Sequence, residues 1–183
     1  MAYQEYAMLE KWYHHYGDLV GYENLYVVSH GFDERHRDIT PGASHITFPR
    51  HQVKGFEGNR QHALAELQKS LYRYYDAVIR VDVDEFLFVD PQIHDSFIGC
   101  IQKNMKNSTQ AWYALGFNSF CLDPTDNADT GPNMSAIARQ AVATSVYSKA
   151  IAARNSFVVF LHGALYTGKT VFNTKACVMP DGL

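Results

Sequence analysis

The chain has 183 residues, 46% of them hydrophobic and 14% aromatic, enough for one domain with a sizeable core and not the composition of a disordered segment. Sixteen Lys and Arg against nineteen Asp and Glu leave a formal charge of -3, which excludes an overall basic field that would draw nucleic acid from a distance. Cys100, Cys121 and Cys177 are odd in number, widely spaced and free of any CxxC, so they indicate neither a disulfide framework nor a structural zinc site and read as buried free thiols.

Helical and strand signals alternate along the chain. In "EYAMLEKWYHHYG" the residues Leu9, Trp12, Tyr13 and Tyr16 recur at helical spacing, with Gly17 as the expected stop. The adjacent His14 and His15 face different ways on that helix, one to the surface and one to the core, and are not read as ligands. "NLYVVSHG" (24–31) and "HITFP" (45–49) read as short buried strands closed by Gly31 and Pro49. From Gly58 to Tyr75, Leu64, Leu67, Leu71 and Tyr74 form an apolar helical stripe. "DAVIRVDV" follows as a strand, "IHDSFIGCIQKNM" (93–105) as a helix and "AWYALGFNSFCL" (111–122) as one long strand. The turn-rich "DPTDNADTGPNMS" (123–135) reads as a loop or lid. This order predicts an α/β domain with a largely parallel sheet. Apolar runs such as "FVVFL" (157–161) are too short to cross a bilayer, and "MAYQEYAML" lacks a signal-peptide pattern, so a soluble, cytoplasmic protein is expected.

The chemistry concentrates in "VIRVDVDEFLFVDP" (78–91). In an extended strand Val78, Arg80, Asp82 and Asp84 share one face, so Asp82 and Asp84 emerge together. Two desolvated carboxylates on one face repel unless a cation or a shared proton relieves them. A hard divalent ion does this while keeping positions open for water or phosphate. Ligands of open α/β sheets also gather at the carboxyl ends of strands, where these residues lie. A solvated acidic turn before Pro91 accounts for the same residues without any ligand.

"YYDAVIRVDVDEFLFVDP" resembles the DxD segment of the family 2-like glycosyltransferases with the GT-A fold, in the branch that carries D-x-D-E-[FL]-L. "QEYAMLEKWYHHYG" is similar to that family's opening, "ENLYVVSHGFDE" to its second strand and following loop, and "YALGFNSF" with "IARQ" and "YSKAIAARNSF" to its later arginine and Ser-Lys region, in the same order along most of the chain. The resemblance implies a GT-A-like mixed, mostly parallel sheet flanked by helices, in a single domain over 1–183. It also implies a Mn2+- or Mg2+-dependent transfer of a sugar from a UDP- or GDP-sugar to a hydroxyl of a glycan or lipid-linked acceptor. Asp82 and Asp84 would hold the metal and the diphosphate, Asp84 more directly, with Glu85 orienting the loop. His162 matches a family histidine and is a further metal candidate, although a lone His among apolar residues equally fits a core. Lys149 matches the family's Ser-Lys pair and Arg139 a family arginine, both for phosphate or acceptor contact. The base needed for an inverting transfer is not identified; Asp126, with Asp123 and Asp129, lies in the expected loop, where ordinary turn residues also occur.

Against the family pattern only "MAY" stands where a first strand is expected, so a domain lacking that strand and the C-terminal acceptor region is expected. Ser29 and His30 occupy the place of an acidic pair, with Asp33 downstream. The alternative function is a non-catalytic relative that binds nucleotide or carbohydrate without turnover.

Overall fold

The computed structural model describes residues 1–50, 55–106, 111–119, 141–143 and 149–153. They form two compact units: the described residues up to Arg50 together with Val81–Phe86, and Gly55–Arg80 together with the described residues from Leu87 onward.

The first unit opens with helix α1 (Tyr6–Val20), whose Leu9, Tyr13, Tyr16 and Gly17 are buried at four- and three-residue steps. Gly17 does not end the helix as expected. Its missing side chain makes room for the Tyr22 ring, which a Cβ there would meet at 2.2 Å. The stop falls at Gly21, whose φ of +89° suits glycine and whose amide donates to the Gly17 carbonyl at 2.9 Å. A short 3-10 turn, Tyr22–Asn24, then feeds strand β1 (Tyr26–His30). Alternate burial places Val27 and Ser29 on its inner face.

Helix α2 (Glu34–Ile39) connects β1 to β2 (Ser44–Phe48), and the two strands pair in parallel from Tyr26 opposite Ser44 to His30 opposite Phe48. Asp33 caps α2 by accepting from the Arg35 amide at 3.0 Å. On the other edge of β1, Ala2 makes a parallel bridge to Ser29, its amide donating to Val28 and its carbonyl accepting from His30. Of "MAY", Ala2 thus pairs along that edge of β1. The core gathers Leu9, Val27 and Val83, with Trp12, Ile39 and Ala43 packed against them.

The second unit holds α3 (Phe56–Leu71), β3 (Val78–Ile79), α4 (Phe97–Lys106), β4 (Ala111–Ala114), β5 (Phe117–Ser119), β6 (Ala141–Ala143) and β7 (Lys149–Ala153). On α3 the buried residues are Leu64 and Gln68, and the Gln68 side-chain amide donates to the Val78 carbonyl at 3.4 Å. Tyr74, expected on the apolar stripe, lies beyond the helix end and is 85% exposed. The predicted strand over 111–122 breaks at Leu115 and Gly116, giving β4 and β5 separate partners.

β3, β7 and β4 form an antiparallel trio with β7 in the centre, and β5 pairs antiparallel with β6. The molecule is therefore mixed α/β. Parallel pairing is confined, among the described strands, to the first unit, and the expected predominance of parallel strands does not extend to the second. Trp112, Ile151 and Ala152 are buried within the trio, and Phe97 and Cys100 of α4 are buried, Cys100 as a free thiol. Among the described residues no helix is long and apolar enough to cross a membrane.

Candidate functional site

The acidic segment is not a continuing strand. Pairing of β3 ends at Ile79, and Asp82–Glu85 is a tight turn closed twice. The Glu85 amide donates to the Asp82 carbonyl at 3.1 Å, and the Glu85 carboxylate reaches back to accept from the Asp82 amide at 2.8 Å. The alternation that would put Asp82 and Asp84 on one strand face therefore does not apply. Both stand on a reversal of the chain, Asp82 at its start and Asp84 at its tip.

The reversal has a packing cause. Val83 points into the core with Leu9 and Val27 and retains 8% exposure, while Asp84, next along the turn, is exposed. Asp82 is partly buried, with 26% of its side chain accessible, and the ammonium of Met1 lies 3.8 Å from its Oδ1. Tyr16 of α1 donates its hydroxyl to the Glu85 carbonyl at 2.9 Å. Phe86 lies against the rings of Tyr16 and His15. These rings account for the two histidines of α1: His15 stands edge-on to Tyr16 and Phe86, and His14 to Tyr13 and Tyr22.

The donor set consists of hard carboxylate oxygens on a short turn. Among the described residues no group of three or more His, Cys, Asp or Glu could hold an ion by itself. Two carboxylates fit an ion completed by water and phosphate better than one caged by protein alone. Asp90, the last acid of the run, has a different task. It is buried and accepts from the Gln92 amide at 2.8 Å, building the turn through Pro91.

Lys149 opens β7 opposite Ala114. Asp123, Asp126, Asp129, Arg139 and His162, with the expected lid over 123–135 and with Cys121 and Cys177, lie outside the described residues.

The carboxyl ends of β1 and β2 carry a second group of interest. The Arg50 guanidinium sits 3.3 Å from the centre of the Tyr3 ring, and His30 stands edge-on to that ring at 6.4 Å. Burial, then the Arg50 charge and the chain's amino terminus, hold the His30 imidazole below its ordinary pKa. Nearby in sequence, Gly31 takes a φ of +93° and Phe32 is 70% exposed. An aromatic and cationic surface at the carboxyl ends of parallel strands suits a planar, anionic ligand.

A third cluster was not visible in the sequence. Ser29 Oγ and His36 Nδ1 are 2.8 Å apart, and His36 Nε2 is 3.6 Å from Asp33 Oδ2, too long for a hydrogen bond. Tyr6 donates to the same Asp33 oxygen at 2.9 Å, which raises the pKa of its phenol. Thr40 donates to the His36 carbonyl and lies 3.1 Å from His45 Nε2. The residue types are those of a nucleophile, base and orienting acid. Yet Ser29 and His36 are buried, at 3% and 1% exposure, and the cluster ties β1, α2 and β2 together. Its only sequence signal is a serine seven residues before a histidine, across a loop whose Asp33 caps the helix.

No family model matches the chain, and neither a curated protein nor a solved structure is significantly similar to it.

Proposed function

We propose that this chain is a metal-dependent glycosyltransferase domain of the GT-A type, which takes a sugar from a UDP- or GDP-sugar and transfers it to a hydroxyl of a glycan or lipid-linked acceptor. The observation that carries the reading is the acidic turn: Asp84 is exposed at its tip while Val83 and the Glu85–Asp82 contacts hold the backbone in place. An ordinary solvated turn has no need of a buried anchor at its centre and a carboxylate clasping its first amide. The ordered resemblance of the surrounding motifs supports the same reading, as does the aromatic and cationic surface at Tyr3, His30 and Arg50.

On this reading Asp84 and Asp82 hold Mn2+ or Mg2+, which when bound supplies a Lewis acid against the charge of the departing nucleoside diphosphate. Glu85 acts on the turn, because its carboxylate accepts from the Asp82 amide. Arg50 and Tyr3 contact the nucleotide, Lys149 and Arg139 serve phosphate or acceptor, His162 is a further ligand and Asp126 the base. A cytoplasmic location agrees with the three widely spaced cysteines, of which Cys100 is a buried thiol.

Calorimetric titration of UDP and GDP, each with and without Mn2+, into wild type and Asp84→Ala tests the proposal. Micromolar binding of one nucleotide that needs the metal and disappears in the variant is the expected result. Metal-independent binding that survives in Asp84→Ala favours the non-catalytic relative, and no binding by folded wild-type protein overturns the transferase reading.

A further inference from the structure

We infer that Tyr16 is a positioning residue for the acidic turn, setting the arrangement in which Asp82 and Asp84 meet a divalent ion; the inference rests on the metal reading of that turn. Tyr16 is 3% exposed on α1, and its hydroxyl donates to the Glu85 carbonyl at 2.9 Å, across 69 residues of sequence. Its ring is wedged between partners, with Trp12 at 5.3 Å and Phe86 lying nearly parallel at 6.5 Å and 14°. The hydroxyl therefore reaches the turn from a side chain that has little freedom of its own.

The contact acts on the residue that closes the turn. Glu85 spends its amide on the Asp82 carbonyl and its carboxylate on the Asp82 amide. Fixing the Glu85 carbonyl from α1 fixes the Glu85–Phe86 peptide, which leaves the residue that makes both bonds, and so restrains the backbone on the exit side of the turn after Asp84. Without the hydroxyl the turn samples more arrangements, and apparent affinity falls with the fraction that is competent to bind.

Tyr13 supplies the matched control. It is buried three residues earlier on the same helix, and its hydroxyl accepts from the Gly42 amide at 3.1 Å, a contact with the loop before β2 and not with the turn. Tyr16→Phe and Tyr13→Phe each delete one hydroxyl from a buried ring, so a general effect of lost stability appears in both.

The experiment is Mn2+ titration of the full chain, followed by the electron paramagnetic resonance signal of the free ion, for wild type, Tyr16→Phe, Tyr13→Phe and Asp84→Ala. Loss of one such hydrogen bond predicts Mn2+ binding weaker by about three- to tenfold in Tyr16→Phe, while Tyr13→Phe stays at the wild-type value and Asp84→Ala binds nothing at the site. If wild type binds Mn2+ through Asp84 and the two tyrosine variants bind alike, the positioning role is overturned while the metal site stands. If folded wild type binds no Mn2+, the metal reading fails and the inference falls with it.

Discussion

His36 is the buried side chain whose chemistry most constrains the first unit. Burial holds its imidazole below the ordinary histidine pKa, against the opposing pull of Asp33 and with a smaller push from His45 in the same direction as burial. The folded state therefore keeps His36 neutral, with Nδ1 facing Ser29 Oγ, while the unfolded chain takes up a proton near the usual value of about 6.5. Because the unfolded state binds more protons in this window, stability is full above about pH 6.5 and is lost as pH falls toward the folded pKa. Urea denaturation at pH 7.5 and 5.5 should show wild type losing stability on acidification, and His36→Gln losing less, whatever its stability at the higher pH. His30 shifts in the same direction and is present in both proteins, so the difference in slope belongs to His36. Equal slopes would mean that the imidazole charges without cost in place. At this scale the acidic pair is legible in the sequence but its geometry is not: Asp82 and Asp84 stand out by type, whereas the hydroxyl that holds their turn comes from Tyr16, far away in the chain. Ser29 and His36 were invisible for the same reason, since only the fold brings them within 2.8 Å.

Two glycines show how the same substitution changes sign between elements. In α1, Gly17→Ala gains about 1 kcal/mol of helix propensity but drives a methyl into the Tyr22 ring, and overpacking of this kind costs about 1–3 kcal/mol. Tyr22 can swing aside only by giving up its bond to Asp18 and its contact with Tyr13. A net loss of about 1 kcal/mol is expected, and it should turn into a gain when Gly17→Ala is made in a Tyr22→Ala background. In α3, Gly58 has open space where its Cβ would stand, so Gly58→Ala should stabilise by about 0.5–1 kcal/mol. Chemical denaturation of the four variants reads out both signs. The same contrast explains which elements were legible. α1 and β1 declared themselves because apolar spacing and turn residues agree with the packing, whereas β2 and α3 were placed but packed otherwise: β2, expected as a buried strand, has no buried residue, and α3 buries Gln68 beside Leu64 in place of the expected stripe. The end of α1 was misplaced because Gly17 is a packing glycine and Gly21 the stopping one. The strand expected over 76–83 shrank to Val78–Ile79 because Val83, apolar and β-branched like a strand residue, is used as the anchor of a turn.

At the scale of the whole molecule, the candidate turn is the segment that makes the first unit discontinuous in sequence. Val81–Phe86 belongs with the N-terminal residues, although the segments before and after it, Gly55–Arg80 and Leu87 onward, belong to the other unit. The first unit is therefore not a contiguous stretch of sequence. A fragment ending at Arg50 would keep α1, β1, α2 and β2 but lose Val83 from beside Leu9 and Val27, and lose the Glu85 carbonyl from the Tyr16 hydroxyl. Burying a valine contributes about 1.5–3 kcal/mol, and a chain of that size is marginal even with a complete core. The fragment is expected to lack a cooperative thermal transition by circular dichroism. Adding a peptide that spans Val81–Phe86 in excess should restore structure, and the same peptide with Val83→Asp should not. A fragment that melts cooperatively alone would show that the acidic turn is a passenger on this unit and not part of its core, and would remove the packing argument for a turn held in a fixed shape.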